Sequence, residues 1–165
     1  MIKKISHPGQ RVGVFVDVQN LFYSARTLHN AKINFKTLLE KAAGGRILIR
    51  AIAYIVQKSG VDQSAFIEAL HRSGFEVRSK DLKIRADGTA KGDWDMGIAI
   101  DTIAIARKLD TIVLVTGDGD FVPLVEMLKA EGCRVEVISF RRSTAHELIQ
   151  SANLYTEIGE DLLLK

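Results

Sequence analysis

The chain has 165 residues, and its 47% hydrophobic and 26% charged content predicts one globular domain with a full core. We expect neither a membrane span nor a signal peptide, because the apolar stretches are too short and the basic N-terminus is not followed by a hydrophobic region. The single cysteine, Cys133, excludes an intramolecular disulfide and a thiolate metal cluster and fits a cytoplasmic location, while the net charge of +3 is weak evidence for a nucleic-acid partner.

The predicted elements alternate between strands and helices along the chain. In chain order they are a strand at 11–17, helices at 20–29 and 35–43, a strand at 47–56, a helix at 61–73, a strand at 75–79, a hairpin or loop at 82–88, a helix at 93–108, a strand at 111–116, a helix at 120–131, a strand at 134–140, a helix ending near 152 and a short edge strand at 154–158. This alternation predicts a three-layer α/β/α sandwich around a mostly parallel central sheet.

Local signals add detail to several of these elements. Asn34 is the predicted N-cap of the second helix, and Gly44 is its predicted stop. Ser143 or Thr144 is the predicted cap of the last helix. The second strand is nearly continuously apolar, which is typical of a buried parallel strand. The helix at 93–108 is apolar almost all round, which predicts deep packing.

Carboxylates follow two of the predicted strands at the point where each strand ends. Asp118 and Asp120 come directly after the apolar run 111–115, and Asp17 closes the strand at 11–17. Sites in an open α/β sheet lie outside the carboxyl ends of the strands, so we expect these acids to converge. Carboxylate oxygens suit Mg²⁺ or Mn²⁺, and the flanking glycines permit tight backbone geometry, including positive φ. A divalent-metal site is therefore the leading hypothesis, although acids between glycines are also ordinary turn material.

Asn20 has two roles open to it. Its amide could turn toward the same spot as Asp17 and orient a water or a phosphate oxygen. It could instead be the N-cap of the helix that follows the first strand. The two roles can coexist.

A further acidic segment precedes the apolar helix. Asp95 lies near the first turn of this helix, where the helix dipole alone favours an acid. Asp101 lies in the middle of the same helix, where a carboxylate is costly unless it is paired or metal-linked. The two acids are about 600° apart around the helix and do not share a face. We therefore expect Asp95 to be a ligand and Asp101 to support the site through a backbone amide or a basic residue.

Basic residues cluster between positions 78 and 91 and again at Arg141 and Arg142. The plain interpretation is a solvated rim, and the alternative is a patch that contacts phosphates. Trp94 could stack on a base, although a tryptophan beside a buried helix is more often part of the core. No side chain stands out as a nucleophile, which favours water activated by a metal ion.

These motifs together resemble the NYN domain family, and within it the LabA-like bacterial group, in the PIN-like nuclease superfamily. The matching segments are 14–21, 91–95 with Asp101, 116–124 and 148–158. Ordered motifs over nearly the whole chain are more specific than any one of them. The resemblance implies a PIN-like, Rossmann-like fold, with 1–165 a single domain and 1–10 an N-terminal extension.

The resemblance implies a metal-dependent ribonuclease that hydrolyses RNA phosphodiester bonds at an acidic pocket with bound Mg²⁺ or Mn²⁺. By motif position, the implied catalytic residues are Asp17, Asn20, Asp95, Asp118 and Asp120, and the four acids are the implied metal ligands. Many relatives place one residue between Lys-Gly and the acid, whereas this chain has two, so Asp93 is an alternative to Asp95. Lys91, Arg141 and Arg142 are candidates to contact the RNA backbone.

Two other functions stay open. The domain could be a catalytically idle RNA-binding or regulatory interaction module, because a fold does not determine a reaction. A phosphatase of the haloacid dehalogenase type would suit the Gly-Asp-Gly turn, but it needs a second acid two residues after Asp17, where this chain has Gln19. A homo-oligomer is among the alternatives for the assembly, and no membrane partner is expected.

Overall fold

A computed structural model describes the backbone of residues 7–88 and 90–164, with their side chains except at positions 90 and 91. Within these residues the strands are β1 (Arg11–Asp17), β2 (Lys32–Ile33), β3 (Ile47–Gln57), β4 (Glu76–Asp81), β5 (Lys83–Ile84), β6 (Ala90–Lys91), β7 (Thr111–Val115), β8 (Arg134–Ser139), β9 (Leu154–Glu157) and β10 (Leu163–Leu164). The helices are α1 (Val18–His29), α2 (Phe35–Ala43), α3 (Ser64–Ser73), α4 (Asp95–Ile105), α5 (Val122–Ala130) and α6 (His146–Ser151). Short 3₁₀ turns span Ala106–Lys108, Gly119–Phe121, Arg141–Ser143 and Glu160–Leu162.

Parallel pairing joins the long strands into one sheet. Within the described residues its order is β4-β3-β1-β7-β8-β9, and each neighbouring pair is parallel. The chain adds strands in one direction from β1 through β3 to β4, and in the other direction from β7 through β8 to β9. The strand order therefore reverses between β1 and β7, which is the position where open α/β sheets bind ligands. The prediction of a mostly parallel sheet is confirmed.

Helices cover both faces of this sheet. The side chains of β1 alternate between two cores, as a strand buried on both faces requires. Val12, Val14 and Val16 belong to a core that includes residues of α1, α2 and α3. Phe15 belongs to a second core that includes residues of α4, α5 and α6. The predicted three-layer sandwich is therefore confirmed.

The predicted caps hold for α2 and not for α6. Asn34 Oδ1 accepts a hydrogen bond from the Thr37 amide at 3.2 Å, and Gly44 ends α2 with a left-handed φ of 59°. At α6 the capping position is Ala145, which makes no side-chain cap. Thr144 instead donates to the Phe140 carbonyl oxygen, so its hydroxyl closes the turn before the helix.

Two expectations about burial are wrong in part. Helix α4 buries Ile98 and Thr102 against the sheet, but Met96 and Ile100 are 72% and 59% exposed. Helix α4 lies in an outer layer of the sandwich, so only one of its faces packs on the sheet. Apolar residues on its other face are exposed. The first residues of β3, at 47–49, are also exposed, because β4 pairs with β3 only from Ile52 onward.

Smaller elements complete the chain. Strands β5 and β6 pair antiparallel, which confirms the predicted hairpin. Strand β9 pairs parallel with β8 at the edge of the sheet, as predicted. Strands β2 and β10 form a separate antiparallel pair. In the part of the chain that is described, no helix has the length and apolar character needed to cross a membrane.

Candidate metal centre

The carboxyl end of β1 places Asp17 in the crevice between β1 and β7. Its Oδ1 accepts a hydrogen bond from the Asn20 amide at 3.4 Å, so Asp17 is itself the N-cap of α1. Its Oδ2 accepts from the Thr116 hydroxyl at 3.1 Å, which joins the ends of the two neighbouring strands. Both carboxylate oxygens of Asp17 therefore already have partners from the protein.

Asn20 has a positioning role that the sequence did not reveal. Its Oδ1 accepts a hydrogen bond from the Gly117 amide at 2.9 Å, across 97 residues of sequence. The interpretation of Asn20 as the N-cap is wrong, because Asp17 occupies that position. Asn20 instead holds the start of the turn that follows β7.

The turn after β7 presents two more carboxylates. Asp118 Oδ1 accepts from the Asp120 amide at 2.9 Å and thereby caps the 3₁₀ turn at Gly119–Phe121. The Asp118 amide donates to the Thr116 hydroxyl at 3.3 Å. Thr116 thus contacts both halves of the crevice, a role that sequence analysis missed. The available signal was a hydroxyl residue between an apolar strand and an acidic turn.

Helix α4 brings its first residue, Asp95, to the same place. Asp93 Oδ1 accepts a hydrogen bond from the Asp95 amide at 3.2 Å and so braces the start of the helix. Oxygens of Asp95, Asp118 and Asp120 lie within 4.8 Å of one another. Asp95, rather than its alternative Asp93, contributes to this set among the described residues.

Burial and mutual repulsion raise the pKa values of two carboxyl groups in the crevice. Burial, followed by the negative charges of Asp118, Asp93 and Asp17, raises the pKa of Asp95 to about 7. Burial also raises the pKa of Asp17, against the opposing effect of its hydrogen bonds from Asn20 and Thr116. The charges that raise both pKa values are those of neighbouring carboxylates. The close approach of these carboxylates favours a bound cation.

A comparison with protein families identifies this arrangement. The model of the NYN domain matches residues 11–159, which is most of the chain. The chain belongs to the NYN domain family. The matched region includes β1 and β7, between which the strand order reverses, and all the acids described above. The family resemblance found in the sequence is therefore confirmed.

Individual proteins are similar to this chain in sequence or in structure. The NYN domain is 30% identical over 158 residues to the low amplitude and bright protein LabA of Synechococcus elongatus, covering 91% of this chain and 84% of LabA. The protein VPA0982 of Vibrio parahaemolyticus, described as of unknown function, is similar in structure with a TM-score of 0.89 and 35% identity, over 97% of this chain and 99% of that one. The MAR1 ribonuclease of Caenorhabditis elegans shares the fold, with a TM-score of 0.50 and 15% identity over 92% of this chain and 78% of its own.

The remaining predicted site residues of the NYN domain lie in different surroundings. Asp101 lies outside the acidic set and accepts hydrogen bonds from the Tyr54 hydroxyl at 2.7 Å and from Arg78. Burial raises the pKa of the Tyr54 hydroxyl, and the hydrogen bond from this hydroxyl to Asp101 raises it further. Trp94 packs against the second core and donates from Nε1 to the Ile55 carbonyl oxygen at 2.7 Å. This network holds α4, and hence Asp95, against the sheet.

The predicted RNA-contacting residues lie on two segments of the chain, β6 and the 3₁₀ turn Arg141–Ser143. Arg141 lies 3.6 Å from Glu157 and over the ring of Tyr155, and Arg142 is exposed in the same 3₁₀ turn. The segment that follows them contacts the acidic turn, since the Ala145 amide donates to the Gly117 carbonyl oxygen at 3.1 Å. The side chain of Lys91 lies outside the described residues. The roles of all three in RNA binding stay predictions.

The glycines of the acidic turn serve close packing. Neither Gly117 nor Gly119 has a positive φ, so the turn does not use the positive-φ conformation that glycine permits. A Cβ at Gly119 would lie 2.8 Å from Cβ of Ala145, and one at Gly117 would lie 2.8 Å from the Ser143 carbonyl oxygen. These positions lack side chains because the turn packs directly on the segment before α6.

This packing predicts that Gly119→Ala destabilises the NYN domain by about 1 to 3 kcal/mol, as expected for overpacking. Ala145→Gly should relieve the clash in the double variant, so the two substitutions should couple by at least about 0.5 kcal/mol. Urea unfolding of the two single variants and the double variant measures this coupling. Additive effects would show that Ala145 is not the side chain that a Cβ at position 119 meets, and a loss well below about 1 kcal/mol in Gly119→Ala would show that the turn can move away from α6.

Proposed function

We propose that this NYN domain is a metal-dependent ribonuclease that hydrolyses RNA phosphodiester bonds at the crevice between β1 and β7. The observation that carries the proposal is the set of mutually close oxygens from Asp95, Asp118 and Asp120, at the ligand-binding position of the fold. Membership of the NYN family supports it. A ribonuclease with the same fold shows that the architecture is compatible with RNA cleavage.

The donor set fits Mg²⁺ or Mn²⁺. Both ions prefer oxygen ligands, and the set consists of carboxylates alone. A cation held by Asp95, Asp118 and Asp120 would remove the repulsion that raises the pKa of Asp95. Asp17 is a further proposed ligand, since its charge contributes to the same shift.

The proposed chemistry divides between the ion and the protein. A bound divalent ion supplies positive charge for the scissile phosphate and makes water a better nucleophile at neutral pH. The protein keeps the acids in place: Thr116 joins the ends of β1 and β7, and Asn20 fixes the Gly117 amide. We propose that Lys91, Arg141 and Arg142 contact phosphates of the RNA and position it without reading its sequence.

The test is cleavage of labelled single-stranded and structured RNA with Mn²⁺, Mg²⁺ or EDTA. Wild type should cleave only with a metal ion, and Asp17→Asn and Asp118→Asn should lose cleavage. Asparagine keeps an acceptor oxygen for the amides of Asn20 and Asp120, so both variants should fold. Products should carry no cyclic phosphate end, because a cyclic end would indicate attack by the ribose hydroxyl instead of by water.

Asp161→Asn is the matched control. It removes an exposed carboxylate that pairs with Lys41 at 3.1 Å outside the acidic set, and its cleavage should equal that of wild type. Cleavage that persists in EDTA, or in both crevice variants, would overturn the proposed site. Binding of RNA without any cleavage would instead favour the idle RNA-binding module.

A further inference from the structure

A second cavity opens beside the acidic crevice on the face covered by α1, α2 and α3. Its volume is about 780 Å³, within the range of sites that bind small molecules or parts of polymers. Its floor is apolar and includes the buried side chains of Val18, Ile55 and Leu70. We call this feature the α1–α3 groove.

Aromatic side chains of α1 line the groove and face solvent. Phe22 is 49% exposed and Tyr23 is 71% exposed. Exposed aromatic rings beside an apolar floor are the surface on which unpaired bases stack. The rings therefore indicate a ligand with flat, unsaturated groups.

Positive charge dominates the groove. Its lining includes four cations and a single acid: Arg26, Lys32, Lys36 and Lys58 against Asp62. The four cations are exposed, and no described acid forms an ion pair with any of them. Such unpaired cations around an aromatic surface complement a polyanion that carries aromatic groups.

Residues that line the groove are direct neighbours of residues at the acidic crevice. Val18 and Gln19 line the groove and directly follow Asp17 in the chain. On the other side, Ile55 lines the groove, and its carbonyl oxygen accepts from Trp94, the residue before Asp95. The groove and the crevice therefore lie side by side at the carboxyl ends of β1 and β3.

We propose that the α1–α3 groove binds unpaired nucleotides of a single-stranded RNA whose scissile phosphate lies at the acidic crevice. The inference rests on the proposed function, since it assigns the substrate class of the same site. A duplex is excluded as the occupant because its bases are stacked on one another and cannot enter an apolar groove. The groove therefore makes the enzyme specific for single strands.

The experiment is a titration of fluorescently labelled RNA in EDTA, so that binding is measured without metal-dependent cleavage. The probes are a short single-stranded oligonucleotide and a blunt duplex of the same sequence. Wild type should bind the single strand roughly tenfold more tightly or better than the duplex. Phe22→Ala and Tyr23→Ala should each weaken single-strand binding by roughly tenfold, the usual effect of removing one stacking ring.

The charged residues have a separate readout. The double variant Lys36→Ala, Lys58→Ala should bind RNA with a weaker dependence on salt. The slope of log affinity against log salt concentration should fall by about one for each lysine–phosphate contact that the variant loses. Met127→Ala and Lys108→Ala are matched controls, because they remove an exposed apolar and an exposed basic side chain outside the groove. Both controls should bind like wild type.

The outcomes separate this inference from the proposed function. Equal binding of duplex and single strand, or unchanged binding in the Phe22 and Tyr23 variants, overturns the groove even if metal-dependent cleavage is observed. The occupant would then be a protein segment or a small apolar ligand. Groove-dependent binding without cleavage under any metal supports the groove and overturns the nuclease.

Discussion

Arg46→Met is expected to destabilise the protein by about 3 to 5 kcal/mol, the usual cost of removing one partner of a buried ion pair. The Arg46 guanidinium donates to both carboxylate oxygens of Glu136, at 3.0 and 2.9 Å. The side chains are only 4% and 10% exposed. Arg46 also donates to the carbonyl oxygens of Ala42 and Ala43 at the end of α2. The substitution leaves a carboxylate with Arg134 as its remaining basic partner and leaves these carbonyls without their donor.

The pH dependence of this effect has a defined sign. Burial raises the pKa of Glu136, but the hydrogen bonds from Arg46 and Arg134 outweigh it, and the folded-state pKa is lowered from 4.5. A lowered pKa contributes stability that is present above pH 4.5 and is lost as the pH falls through the folded-state value. The difference between wild type and Arg46→Met should therefore be largest near pH 7 and smaller in acid.

Urea unfolding at several pH values tests this prediction. Arg46→Met with Glu136→Leu should recover most of the loss, because the double variant no longer buries a carboxylate that has lost its bidentate partner, and Arg134 is 30% exposed and can be hydrated. Arg72→Met is the control, since its pair with Glu68 is more than 70% exposed on both sides and should contribute less than about 1 kcal/mol. A loss below about 1 kcal/mol in Arg46→Met, or no recovery in the double variant, would contradict the argument.

Local signals predicted much of this fold because they depend only on neighbouring residues. Asn34 and Gly44 define α2 through hydrogen bonds and backbone angles within a few residues. Asp17 is the last residue of β1, and Asp118 follows the end of β7 by three residues. Parallel strands place these ends at one edge, so the position of the acids follows from the order of elements.

Contacts between distant residues could not be predicted in the same way. The Arg46–Glu136 pair spans 90 residues, and the bond from Gly117 to Asn20 spans 97. Nothing in the surrounding sequence identifies such partners. The apolar content of α4 likewise does not show which side meets the sheet, so Ile100 was expected in the core and is exposed.

Asp95→Asn is expected to stabilise the metal-free protein at pH 8 and to destabilise it relative to wild type when metal is present. The folded-state pKa of Asp95 is raised to about 7. For an acid, this means that the folded state holds a proton more tightly than the unfolded state between about pH 4 and pH 7. Stability from this group is therefore lost as the pH rises through that window. Asparagine is always neutral and avoids the loss.

The expected gain at pH 8 is about 1 to 2 kcal/mol, after allowance for solvent screening of a partly exposed side chain. At pH 4 the variant and wild type should differ little. Saturating Mn²⁺ should reverse the order, because an ion at a hundred times its dissociation constant stabilises wild type by about 2.7 kcal/mol and the variant by less.

Thermal unfolding at pH 4 and pH 8, with EDTA and with Mn²⁺, gives the full comparison. Asp161→Asn should follow wild type in every condition, because this carboxylate is exposed and lies outside the acidic set. A variant that is less stable than wild type in EDTA at pH 8 would show that repulsion does not dominate the crevice. Stabilisation by Mn²⁺ that is equal in Asp95→Asn and wild type would remove Asp95 from the ligands. If Asp95→Asn is the more stable protein in EDTA and wild type is the more stable protein with Mn²⁺, the metal centre is supported. This test does not depend on knowing the substrate.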